Sequence, residues 1–98
     1  MFKYVTEFIG TFIFLSVILN ATAKGSTVSN APVAIGIALV AVIFFGGNIS
    51  GGHFNPAVSA MMVLNKSLPS GEFVPYVASQ ILGAIAAKTF VDMAVGKM

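Results

Sequence analysis

The sequence predicts an all-α membrane protein, with three transmembrane helices and one short re-entrant half-helix that stops partway across the bilayer. Three observations carry this expectation. Of the 98 residues, 57% are hydrophobic and only 8% charged, against about 25% charged in a soluble domain, which leaves too little polar surface to clothe a globule in water. Long apolar runs cover about residues 4–23, 31–47 and 73–91, each close to the ~20 residues a helix needs to cross the hydrocarbon core. Between the second and third runs lies a polar, glycine-rich interruption followed by a shorter apolar run at about 55–64.

The first run opens at Phe2, Lys3 and Tyr4, a cation beside aromatic residues as found at a membrane interface. Its competing reading is a cleaved signal peptide, with Lys3 ahead of the apolar core and Ala21-Thr22-Ala23 as the processing site. Glu7 argues against that reading, because an acid inside an apolar segment calls for a partner in a packed bundle. Residues 20–30 form a loop. Pro32 then suits the first turn of the second helix, and Gly46-Gly47-Asn48 reads as its C-terminal stop. Residues 65–71 form a second polar connector before the third run. Small residues recur four apart at Ser79, Gly83 and Ala87, and at Ala34 and Ala38, a spacing that lets membrane helices approach closely. Residues 1–98 read as one unit without linker, repeat or second domain.

The chemistry concentrates in Ser50-Gly51-Gly52-His53-Phe54-Asn55-Pro56-Ala57-Val58-Ser59. Asn55 fits a helix N-cap and Pro56 the first helical position, so a helix begins there. A helix over 55–64 reaches roughly 15 Å, about half the hydrocarbon core. Irregular backbone at membrane depth survives only inside protein or along a wet cavity. The stretch therefore reads as a re-entrant loop at a pore. The helix start carries roughly half a positive charge and unpaired N–H donors, which repel cations. The Asn55 amide can donate to a passing solute, and the carbonyls of Gly51, Gly52, His53 and Phe54 can line up as acceptors leading to it. Glycines suit the unusual backbone dihedrals such a ladder needs.

Other chemistries lack their residues. There is no cysteine, hence no disulfide or thiol chemistry. All five basic residues are scattered lysines, and the net charge of +2 gives no nucleic-acid footprint. No nucleophile–base pair, phosphate loop or metal-ligand spacing occurs, so no enzymatic activity, catalytic residue, metal site or cofactor is expected. His53 reads as a hydrogen-bonded loop residue in preference to a pH gate or metal ligand, and Glu7 as a structural acceptor in preference to a proton relay. Gln80 has two readings, a pore-lining amide or an interhelical hydrogen bond. Lys88 reads as snorkelling to an interface. Two N-x-S/T sequons, at Asn20 and Asn48, match a pattern that is common by chance.

Taken together, Glu7-Phe8-Ile9-Gly10-Thr11-Phe12, the Asn55-Pro56-Ala57 segment with His53 ahead of it, and Gln80-Ile81-Leu82-Gly83-Ala84 resemble the amino-terminal half of an aquaporin, of the major intrinsic protein family. The resemblance covers nearly the whole chain. It implies two inverted repeats of three spans and a half-helix, the half-helices meeting at their Asn-Pro-Ala ends in mid-membrane. It assigns Asn55 as pore donor, Gly51 to Phe54 as the carbonyl ladder and Pro56 and Ala57 as the apposed tip. Glu7 becomes the acid that steadies the loop. Gln80 and Gly83, from their own chemistry and spacing, are read as helix-packing residues. Val58 stands where second repeats carry the Arg of the narrowest constriction, and this chain has no Arg. The second-helix constriction position falls on Ile35, where water-selective members often carry an aromatic, so small neutral solutes such as glycerol stay open as permeants.

The resulting expectation is half of a channel for water and small neutral solutes in the cell membrane. A separately encoded second half, a continuation of the chain or an inverted copy would complete it, in a dimer or a higher oligomer. The alternative is a truncated, non-conducting membrane protein that associates with other aquaporin subunits. Lys3 and Lys66 fall on one side and Lys24, Lys88 and Lys97 on the other, so the positive-inside rule gives no clear orientation.

Overall fold

The computed structural model describes residues 1–95; Lys97, assigned above to the far side, lies outside the described residues. The helices are α1 (Phe2–Thr22), α2 (Ala31–Ser50), α3 (Pro56–Leu64) and α4 (Phe73–Val95), with a single 3₁₀ turn, Ser70–Glu72, leading into α4. Helices of 21, 20 and 23 residues extend about 30 Å or more, enough to span a hydrocarbon core. The nine residues of α3 reach only about 14 Å. Large apolar side chains such as Phe44 (79% exposed) and Phe45 (77% exposed) point outward, which suits a lipid environment and not water.

Helix α1 is the hub and packs against both α2 and α4, while α3 packs against α4. Contacts along α1 and α4 rise together in residue number. Tyr4 meets Tyr76 edge-on at 5.8 Å and Phe12 meets Phe90 at 5.5 Å. Between them, Gly83 lies so close to α1 that a Cβ there would sit 2.7 Å from the Phe8 carbonyl oxygen. The two helices are therefore parallel. Helix α2 runs the opposite way, with Gly46 beside Thr6 and Ser50 beside Glu7.

These neighbours show the re-entry directly. The end of α2 and the start of α4 both lie at the N-terminal end of α1, the first through Ser50 and Glu7, the second through a 2.8 Å Lys3–Glu72 ion pair. The chain between them leaves and returns on one side. At its inner limit, Asn55 and Pro56 share a cavity with Thr11, Phe14, Leu15 and Ile18, about halfway along α1. At its outer limit, Asn65 and Ser67 share a cavity with Lys3 and Glu72. Helix α3 thus begins at mid-depth and runs back to the side it came from.

Asn30 caps α2, its Oδ1 accepting from the Val33 N–H at 3.4 Å, with Pro32 in the first turn. The expected stop of α2 at residue 47 needs correction. The helix continues through Gly46, Gly47 and Asn48 to Ser50, and the left-handed cap residue is Gly51 at φ 88°. Gly46 serves packing instead: a Cβ there would lie 2.8 Å from Thr6 Cγ2 and 3.0 Å from the Phe54 ring. A helical glycine that admits a neighbour and a glycine that ends a helix look the same in sequence.

Candidate functional site

The site is built around one buried carboxylate. Glu7 is 0% exposed and accepts four hydrogen bonds. Its Oε2 receives the Ser50 hydroxyl at 2.7 Å and the His53 backbone N–H at 3.0 Å. Its Oε1 receives the Phe54 backbone N–H at 2.8 Å and the Gln80 side-chain amide at 2.8 Å. A buried charge is tolerated only when its lone pairs are met in this way. Glu7 thereby fixes two consecutive peptide units of the loop against α1.

With its N–H groups held, the loop turns its carbonyls elsewhere. Among the described residues no group donates to the carbonyl oxygens of Gly51, Gly52, His53 or Phe54. Gly51 and Gly52 take φ of 88° and 67°, a region that costs glycine nothing. Phe54 takes φ 53° despite its Cβ. Its ring offsets that strain by packing between Gly10 and Gly46, where any Cβ on either glycine would collide with it. The Phe54 side chain is therefore core between α1 and α2, and only its backbone is available to a pore.

Asn55 follows in extended conformation at φ −162°. Its Oδ1 accepts from the Ala57 N–H at 2.8 Å and its carbonyl from the Ser59 N–H at 3.1 Å, which starts α3. With the oxygen committed, the Asn55 NH2 remains as a donor. Asn55, Pro56 and Ala57 are exposed, and Val58 half-buried, so the tip is a bare surface.

The His53 side chain turns inward. Its Nδ1 lies 2.8 Å from the Ser59 hydroxyl, and its ring packs against Tyr76 at 5.0 Å between centroids. The Ser59 hydroxyl also accepts from Gln80 Nε2 at 2.9 Å, so it links the His53 ring to α4. Gln80 makes its interhelical bonds to Glu7 and Ser59, and Tyr76 donates its hydroxyl to the Ser50 carbonyl at 2.7 Å. A single network thus joins α1, the end of α2, the loop, α3 and α4.

The structure brings together Glu7, Gly51, Gly52, His53, Phe54, Asn55, Pro56, Ala57, Val58 and Gln80. Ile35 stands apart. It is half-buried on α2, about 22 Å along the helix axis from Ser50, and the cavity at Asn55 is walled by α1, α3 and α4 without it. Gly83 packs α4 on α1, one turn beyond Gln80. Sequence reasoning missed Ser59, Ser50 and Tyr76. The available signals were a lone hydroxyl in the apolar run of α3 and the spacing of Tyr76 and Gln80, which four residues apart share one helix face.

The sequence profile of the major intrinsic protein family matches residues 1–98. The chain is 40% identical over 93 residues to glycerol uptake facilitator protein-like 6 of Lactiplantibacillus plantarum, covering 93% of this chain and 43% of that protein. It is 39% identical over 92 residues to aquaporin Z of Brucella melitensis, covering 87% and 40%. To aquaporin NIP3-1 of Arabidopsis thaliana it is 33% identical over 91 residues, covering 87% and 28%. The chain spans less than half the length of these curated relatives. With its spans, its re-entrant half-helix and this match along its whole length, the chain belongs to the major intrinsic protein family of membrane channels.

Proposed function

We propose that this chain forms one half of a transmembrane channel that passes water and small neutral solutes such as glycerol. The observation that carries the reading is the free carbonyl run of Gly51 to Phe54 ending at the Asn55 donor, held in place by Glu7. A narrow path with acceptors along it and a donor at an electropositive helix start satisfies water while opposing cations. The half-helix starts at mid-depth and covers only one side, so a facing half is needed, supplied by a second half-channel or an inverted copy of the chain. Relatives named as aquaporins and as a glycerol facilitator support water and small polyols as permeants. The cell membrane is the proposed location, and no enzymatic role is assigned. In an inverted homodimer Val58 would stand at both tips with no Arg beside either, which favours looser selectivity and weaker proton exclusion than in Arg-bearing relatives.

Stopped-flow shrinkage of proteoliposomes holding only this chain tests the self-completed form. Water flux above protein-free vesicles supports an inverted homodimer. Flux equal to them removes it, and flux restored by a second half-channel then separates a true half from a non-conducting associate of aquaporin subunits. Replacing Ile35 with Phe is expected to cut glycerol flux more than water flux, and equal effects would remove Ile35 from the permeation path.

A further inference from the structure

Two buried polar atoms near the tip have no hydrogen-bond partner, and the residues that carry them line the same cavity. Gln80 is 1% exposed and Thr11 2%. Both hydrogens of the Gln80 amide are committed, one to Glu7 Oε1 and one to Ser59 Oγ. Turning the amide over would set its oxygen against the carboxylate, so the amide is held one way round. Its Oε1 is left enclosed and accepts no hydrogen bond, and the Thr11 Oγ1, one turn along α1 from Glu7, is enclosed and unpaired as well. Both residues line the cavity of about 360 Å³ between α1 and α4, whose remaining walls include Phe14, Leu15, Ile18 and Ile81.

From this arrangement we infer that Thr11 and Gln80 seat one resident water molecule between α1 and α4, separate from molecules in transit past the exposed Asn55. The amide oxygen can only accept, whereas the hydroxyl can donate and accept. An occupant must donate to the first and bond the second in either sense, which water does. The Glu7 charge is already met by four donors, so the seat draws a neutral molecule. A buried water needs at least two polar partners and space of its own; Thr11 and Gln80 offer the two partners, and the cavity that both residues line adjoins them. The water completes the Gln80 amide, keeps it turned toward Glu7 and Ser59, and ties α1 to α4 at the depth of the tip. Thr11 is accordingly a positioning residue, and the inference stands whether or not the chain conducts.

Solid-state NMR of the complete, isotope-labelled chain in glycerol-free lipid vesicles tests it by magnetisation transfer from water. The wild type and Thr11→Ser are expected to show rapid transfer to the Gln80 side-chain carbonyl carbon. Thr11→Val is expected to lose that transfer while the Gln80–Glu7 side-chain correlation persists. Transfer to Gln80 in the wild type no faster than to Leu15 and Ile18 on the apolar wall would overturn the inference, even if the valine variant fails to fold. Unchanged transfer in a folded Thr11→Val would overturn it too.

Discussion

Phe44 and Phe54 belong to two regions of the same chain that obey different rules. On the outer wall of α2, Phe44 and its neighbour Phe45 are almost fully exposed, and their rings meet chiefly each other, at 5.6 Å. In the loop, Phe54 is 3% exposed and its ring fills a slot left by Gly10 and Gly46. The wall needs only to be apolar, because lipid accepts any such side chain. The loop needs particular partners, because its backbone is irregular at mid-depth and every N–H there must be met. Sequence tolerance should follow the same division, broad on the wall and narrow at the loop.

The largest effect is expected at Glu7. Glu7→Gln keeps the shape but sets an NH2 against N–H and O–H donors, and unpairs at least one loop amide. A loss on the order of 3–5 kcal/mol in unfolding free energy is expected, measured by denaturant titration in micelles. A loss below that of an exposed polar substitution would show that the carboxylate does not hold the loop.

Next comes the Phe54 slot. Gly10→Ala drives a Cβ into the ring and is expected to cost about 1–3 kcal/mol. Phe54→Leu in the same chain should recover part of that cost, the coupling being read from a double-mutant cycle. Additive losses would mean that the ring and Gly10 do not meet. A smaller stability effect is expected at the tip. Asn55→Ala removes an exposed cap at about 1 kcal/mol, yet should bring water flux to the level of protein-free vesicles in any assembly that conducts. On the outer face, a methyl group added at Gly36 would meet no heavy atom within 4 Å. Gly36→Ala should therefore be neutral or raise stability by up to about 1 kcal/mol, and a loss would place an unrecognised neighbour there.

The fold class was legible because it rests on composition and length. Charge is too scarce for water, and three runs are long enough to cross a bilayer. Asn55-Pro56 marked the start of α3 through local capping chemistry, which acts within three residues. What local rules do not reach is the pairing across the chain. The Glu7–Gln80 bond joins residues 73 apart, and Gln80–Ser59 joins residues 21 apart. The end of α2 was misread because Gly46 admits a ring that arrives eight positions later, a fact of packing that no periodicity carries. His53 shows the same limit. Its place beside the Asn-Pro pair was plain, but its turn toward Ser59 and Tyr76 follows from α4 closing over it.

The central claim is that the chain dips in, is pinned by Glu7, and presents a wet half-helix tip at mid-depth. Because the sequence has no cysteine, a single spin label can be placed at will. Labels at Val58→Cys and Phe44→Cys in the reconstituted chain give the most direct comparison. The label at 58 is expected to relax with a water-soluble paramagnet, and the label at 44 with oxygen dissolved in lipid. An oxygen-dominated, lipid-bathed signal at both positions would contradict the claim.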